Sequence, residues 1–202
     1  MDNRREHWDN IYRTKEPCDV SWTQEKPSTS LRLIESLQLR KHQPIIDVGG
    51  GDSLLVDHLL EHGYTDITVL DISPTSLEKA KKRLGKLAKH IHWIVADIKD
   101  FYPTRKYSLW HDRAAFHFLH KPEQITHYLN LVDEYAQHLI MGTFSTDGPL
   151  KCSGLEVKQY NEQQMKELLP PTKWQTKIQI RQDHRTPSGA KQNFIFSLFS
   201  KV

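Results

Sequence analysis

Residues 45–60 read IIDVGGGDSLLVDHLL. Two β-branched residues lead into an acid, three glycines follow in a row, and an apolar-rich run begins directly after them. A short apolar stretch between Pro44 and the glycines predicts a buried strand over 45–48. The SLLVDHLLEH run predicts a helix through Leu55, Leu59 and Leu60, stopped by Gly63 in a left-handed cap. The same alternation recurs downstream. DITVLD (66–71), IHWIVAD (91–97), YSLWHD (107–112) and HLIMGTF (138–144) read as strands. Between them, Ser73-Pro74 is an N-cap and first-turn pair, and KPEQITHYLNLVDEYAQ places Ile125, Tyr128, Leu129 and Val132 inward. Helical segments also precede the glycines, in REHWDNIY and KPSTSLRLIESLQL, and NEQQMKELL is a short one near the end. Alternation up to about residue 169 predicts a parallel sheet with helices on both faces. WQTKIQI (174–180) and QNFIFSLF (192–199), joined by a short connection through Thr186-Pro187-Ser188-Gly189, predict an antiparallel pair at one edge.

Composition narrows the partners. The 202 residues carry a net charge of only +3, with 37% apolar and 26% charged residues. Lys and Arg are scattered, so neither nucleic acid nor a membrane is expected as a partner. The one basic cluster, KAKKRLGKLAK (79–89), has Ala80, Leu84, Leu87 and Ala88 at helical spacing and reads as the solvated face of an amphipathic helix. No segment has the pattern of a secretory signal or a membrane span. The two cysteines, Cys18 and Cys152, lie far apart, so a reducing cytoplasm is the expected compartment. HLLEH (58–62) fits an inverted zinc-protease pattern. Leu59 and Leu60 are needed for packing there and no downstream acidic ligand motif follows, so no metal is expected. Cys152, in DGPLKCSGLEV, reads as a buried loop cysteine.

Glycine removes the Cβ and permits positive φ, so a ligand can approach main chain there. The following helix N-terminus offers free N–H groups to an anion. The dinucleotide fingerprint would need a glycine at position 54, which is Leu54. That argues against NAD or FAD and against a nicotinamide oxidoreductase. A phosphate loop would need Gly-Lys-Ser/Thr, which is absent. A smaller anion such as a carboxylate remains compatible. Asp71 ends the second strand, roughly 20 residues after the glycines, where an acid can accept both hydroxyls of a ribose. Asp97, followed by Ile98, ends the third and can accept from an exocyclic amine beside an apolar neighbour. Asp47, Asp71 and Asp97 thus form one rim at three successive strand ends.

In that order, IIDVGGGDS, VLDIS and VADI resemble the cofactor motifs of class I S-adenosylmethionine-dependent methyltransferases. Ser53 stands where their Gly-x-Gly-x-Gly turn has its last glycine. The resemblance implies an α/β, Rossmann-like, seven-stranded and mostly parallel sheet with a C-terminal antiparallel hairpin. It implies S-adenosylmethionine as cofactor. Asp47, Gly49, Gly50 and Gly51 would line its methionine end, Asp71 and Ile72 the ribose, and Asp97 and Ile98 the adenine, with His111 also at the cofactor. HWDNIYRTKEPCDVSW resembles the cap segment of small methyltransferases. On that reading the chain is one domain, with residues 1–30 as cap and 31–202 as core, and Trp8, Tyr12 and Trp22 lie over the cofactor. An aromatic face attracts a sulfonium cation by roughly 0.5–2 kcal/mol.

The acceptor side is expected in LWHDRAAFHFL (109–119). It lacks the Asn-Pro-Pro-Tyr signature of enzymes that methylate planar amines in nucleic acid. WHDRAAF is similar to a segment of thiopurine-type small-molecule S-methyltransferases, which implies that Arg113 faces the acceptor. A thiol loses its proton readily beside a positive charge. An ammonium acceptor would need a base, for which His117 or His111 is a candidate, with His184 another. The expected acceptor is a small molecule, a thiol or other soft nucleophile. A protein lysine is the alternative, and a non-catalytic cofactor-binding module is the second.

Overall fold

The computed structural model describes residues 3–202. In chain order the main elements are α1 (Arg4–Thr14), α2 (Ser28–Ser36), β1 (Ile45–Val48), α3 (Leu55–Glu61), β2 (Ile67–Asp71), α4 (Pro74–Leu84), β3 (Ile91–Val95), β4 (Tyr107–Arg113), α5 (Pro122–Tyr135), β5 (Ala136–Phe144), β6 (Lys151–Cys152), β7 (Leu155–Glu156), α6 (Glu162–Glu167), β8 (Trp174–Arg185) and β9 (Lys191–Lys201). Seven strands form one sheet in the order β3-β2-β1-β4-β5-β9-β8. β1 pairs in parallel with β2 and β4, while β9 runs antiparallel to β5 and to β8.

Strand alternation sends successive side chains to opposite faces, and both faces are covered. Ile45, Leu109 and Ile140 pack with Leu31, Leu59 and Leu77 on one side. Ile46, Trp110 and Leu139 pack with Tyr128, Val132 and Met165 on the other. This two-sided burial is why β1 and β2 carry apolar residues on both faces rather than in strict alternation. Strand order reverses between β1 and β4, and a crevice opens outside the carboxyl ends of such strands. Among the described residues, no helix is long and apolar enough to cross a membrane.

Several boundaries differ from expectation. β3 ends at Val95, and Asp97 instead caps a 3-10 turn by accepting from the Lys99 N–H at 3.1 Å. The basic helix stops at Leu84 because Gly85 turns to φ +55. The apolar face therefore ends there, and Leu87 is 51% exposed. Cys152 is buried as expected, but in a two-strand ribbon rather than a loop. Ser153 and Gly154 form its turn, both with positive φ, as a tight hairpin requires.

Candidate active site

The glycine turn is hung on the end of β2: Gly49 and Gly50 N–H groups both donate to Leu70 O, at 2.8 and 3.2 Å. A Cβ at Gly50 would lie 2.6 Å from Asp47 Oδ2 and 2.8 Å from Val69 Cγ1. One at Gly51, where φ is +47, would lie 2.7 Å from Tyr12 Oη and 3.0 Å from Asp71 Oδ2. The glycines therefore admit the chain's own Asp47, Asp71 and Tyr12, which the expectation of a ligand alone did not foresee. Ser53 needs no glycine: its φ is not positive, and its Oγ accepts from the Leu55 N–H at 3.1 Å to start α3. Arg83, expected on a solvated face, instead reaches back to Ser53 O at 3.0 Å and Asp57 Oδ2 at 2.8 Å, and it pairs with Asp52. It pins the far side of the turn. Gly50→Ala is expected to lower stability by about 1–3 kcal/mol through overpacking, read as a lower urea midpoint; an unchanged midpoint would mean that Asp47 can swing away.

The three rim acids line one cavity. Asp47 Oδ1 lies 2.7 Å from His111 Nδ1, and His111 Nε2 lies 2.8 Å from Ser30 Oγ on α2. Both ring nitrogens are thus engaged, so His111 positions Asp47 and has no free nitrogen to act as a base. Asp71 Oδ1 accepts from the Ser73 N–H at 2.8 Å. Burial pushes its carboxyl up to about 6, against hydrogen bonds from Ser73, Ser76 and Gly51. Asp97 Oδ2 accepts from Arg4 Nη2 at 3.2 Å. Ile72 and Ile98 line the same space.

The N-terminal segment is tied over this rim by residues of its HWDNIY stretch. Asp9 accepts from Ser73 Oγ at 2.8 Å and the Thr75 N–H at 3.0 Å, joining α1 to the start of α4. His7 Nε2 donates to Ser153 O at 3.0 Å. Trp8 meets Trp22 and Phe118 edge-on, with centroids 5.6 and 5.2 Å apart, and Tyr12 meets Trp22 at 6.0 Å. Trp8, Tyr12, Trp22 and Phe118 make an aromatic wall along the cavity.

At the end of β4 the side chains diverge. Asp112 is buried and accepts from the N–H groups of Ala115 and Phe116 at 3.0 and 3.1 Å and from Tyr128 Oη at 2.7 Å. Burial pushes its carboxyl up to about 6. It makes no ion pair with Arg113, whose Nη1 donates to Trp22 O at 3.0 Å and whose guanidinium lies over Phe194, 5.0 Å from the ring centroid. Burial lowers Arg113 to about 10, which leaves it charged at neutral pH. His117 does not fit the base role. It does not line the cavity, its Nδ1 accepts from the Phe144 N–H at 3.3 Å, and its ring packs between Phe118 and Phe144. Burial drives it down to about 3, so it stays neutral. His184 lines the cavity, with Nε2 held 2.6 Å from Ser21 O. His58 and His62 of the HLLEH run turn to Glu61 and Glu35, and among the described residues no three metal-ligating side chains converge.

The cavity measures about 1330 Å³ and runs from Asp97 and Asp71 past the glycines to Trp8, Trp22 and Arg113. Residues 45–137, from β1 to the start of β5, match the family model for a methyltransferase domain. Over these residues the chain carries a methyltransferase domain. A curated relative, malonyl-[acyl-carrier protein] O-methyltransferase 1 of Ilyobacter polytropus, is 28% identical over 106 residues, which is 52% of this chain and 39% of that protein. The chain thus spans about two fifths of that relative's length. A solved structure from work on the conversion of a disulfide bond into a thioacetal group during echinomycin biosynthesis matches with TM-score 0.78 and 16% identity, over 98% of this chain and 92% of that one. A second is the Burkholderia thailandensis 1,6-didemethyltoxoflavin-N1-methyltransferase with its substrate and S-adenosylhomocysteine. Its TM-score is 0.72 at 15% identity, over 98% of this chain and 87% of that one. At such identity both likenesses speak for the fold. The seven-stranded, mostly parallel sheet and its C-terminal antiparallel pair are those that the sequence resemblance implied.

Proposed function

We propose that the chain binds S-adenosylmethionine along the Asp97–Asp71–glycine rim and transfers its methyl group to a small molecule held beside Arg113. The observation that carries this reading is the single continuous cavity that joins the rim to the aromatic wall and Arg113. Its volume exceeds the roughly 300–1,000 Å³ of a site for one small ligand, so it has room for a cofactor and an acceptor together.

When bound, S-adenosylmethionine supplies an activated methyl on a sulfonium. The chain's part is alignment and exclusion of water. Asp71, buried at the end of β2, would accept from the ribose hydroxyls. Asp97 and Ile98 would hold the adenine, and Gly49, Gly50 and Gly51 with Asp47 the amino-acid end. Residues 1–30 would act as a cap, with Trp8, Tyr12 and Trp22 facing the sulfonium. Arg113 faces the acceptor. His117 and His111 are both committed elsewhere, and His184, which lines the cavity with Nε2 on Ser21 O, is the candidate base that stays. An acceptor already unprotonated near neutral pH, such as a thiolate or a carboxylate, needs none. The Ilyobacter polytropus relative, a malonyl-[acyl-carrier protein] O-methyltransferase, supports an oxygen acceptor as well as the soft nucleophile expected from sequence.

Calorimetry with S-adenosylhomocysteine should give a one-to-one complex, and NAD should give no heat. Binding of NAD in preference to S-adenosylhomocysteine would overturn the reading. A release assay for S-adenosylhomocysteine across thiols, carboxylic acids, amines and lysine peptides then separates the acceptor classes, and cofactor binding without turnover on any of them would mark a non-catalytic module.

A further inference from the structure

Arg113 is the most costly unexplained group in the molecule. Its Nη1 is used by Trp22 O, but Nε and Nη2 are both buried and have no hydrogen-bond partner among the described residues. In a planar guanidinium the Nε–H and the adjacent Nη2–H point the same way, as a two-donor fork that matches two oxygens of one planar anion. A buried charge without a partner is strongly unfavourable, so the fold holds this fork ready for a ligand.

The surroundings narrow the ligand. Phe194 covers one face of the guanidinium. Cys152 and Asp47 are the acidic groups acting on it; burial pushes the Cys152 thiol up, which keeps it neutral, and Asp47 gives Oδ1 to His111. His184, whose ring lies 6.2 Å from that of Phe194, is lowered by burial and carries no second positive charge at neutral pH. One cation, one aromatic face and a neutral thiol suit a monoanion with an apolar body, not a phosphate dianion. We propose that the free Nε–Nη2 fork of Arg113 is the docking point for a carboxylate carried by the methyl acceptor. The substrate class is then a small organic acid. The fork lies over β9 beside the β6–β7 ribbon, whereas Asp71 and Asp97 end β2 and border β3, on the other side of β1.

This inference rests on the methyl-transfer reading for the identity of the acceptor site, so the test separates the two. Side-chain arginine NMR on the wild-type protein, saturated with S-adenosylhomocysteine, follows the Arg113 Nε–H during titration with acetate and with acetamide. Acetate should displace that resonance saturably and slow its exchange with water, while acetamide should act at least tenfold more weakly. Arg113→Lys, followed by calorimetry, should weaken acetate binding at least tenfold and change the S-adenosylhomocysteine dissociation constant less than twofold. If acetate and acetamide act alike, or neither moves the signal, the fork is not a carboxylate site. If S-adenosylhomocysteine alone occupies the fork, or Arg113→Lys weakens it tenfold, the carboxylate bound there is the cofactor's own and the proposal fails. Absence of S-adenosylhomocysteine binding to the wild type would instead sink the methyl-transfer reading, and the acetate titration on the free protein would still score the fork. The wild-type titration needs no variant, so a poorly folding Arg113→Lys leaves the proposal testable.

Discussion

Asp71→Asn is expected to raise the melting temperature at pH 7.5 and, in the same protein, to weaken S-adenosylhomocysteine binding about 10–100-fold. The two effects have one origin. Burial pushes the Asp71 carboxyl up to about 6 from an ordinary 3.8. For an acid whose folded value lies above its unfolded value, the native state holds more protons between the two. Stability therefore falls as pH rises from about 4 to about 6, and the full penalty remains above that window. A shift of this size corresponds to on the order of 3 kcal/mol. Asparagine carries no charge and escapes the penalty, so its advantage should be largest above pH 6 and vanish near pH 4. Asp112 is also pushed up by burial, but it is present in both proteins and cancels in the comparison. The same charge is what a ribose pair of hydroxyls would exploit, since hydrogen bonds to charged groups contribute about 1.5–3 kcal/mol. Melting curves at pH 4 and 7.5 and calorimetry at pH 7.5 test both halves. A lower melting temperature at pH 7.5 would refute the burial argument; an unchanged dissociation constant would remove Asp71 from the ribose role.

The parts of this site that sequence exposed are those written in local backbone needs. Ile45, Ile46 and Val48 mark a short buried strand around a single acid, and glycines at 49–51 mark a turn whatever surrounds them. The C-terminal pair was visible from two apolar strands with a short connection, although both proved longer, because polar residues such as Gln182 and Arg185 pair along an edge without needing an apolar signature. What stayed hidden depends on distant partners. Arg83 is one of several basic residues in its helix, and only the fold brings it to Asp52 and Asp57. Asp9 reads as any helix acid until α1 lies on α4. His117 and His111 look alike as candidate bases, six residues apart. One points into the aromatic core and the other is held between Asp47 and Ser30. Strand alternation could have separated Asp112 from Arg113, because adjacent residues on β4 face opposite sides.

Trp110→Ala is expected to destabilise the protein by about 3–5 kcal/mol, the range for deleting a large buried aromatic. Trp110 is fully buried, with the rings of Phe101, Tyr107 and Tyr128 at centroid distances of 6.4, 6.2 and 5.9 Å. Beyond the cavity left behind, the substitution cuts a relay. Trp110 Nε1 donates to Tyr128 Oη at 3.0 Å, Tyr128 donates to Asp112 Oδ2 at 2.7 Å, and Asp112 holds the N–H groups of Ala115 and Phe116. That last pair shapes the turn directly after Arg113, where Ala114 sits at φ +69. The relay connects the core beneath β4 to the side of the cavity assigned to the acceptor. Packing and relay can be separated. Trp110→Phe keeps most of the volume and loses only the donor, so it should cost about 1 kcal/mol. Tyr128→Phe removes the middle of the relay and should cost more, about 1–3 kcal/mol, because the buried Asp112 loses a donor. If the three groups act as a unit, the Trp110→Phe and Tyr128→Phe losses will not add, and a double-mutant cycle should give an interaction of at least about 0.5 kcal/mol. Simple additivity in urea unfolding would mean that Trp110 supports the site through volume alone.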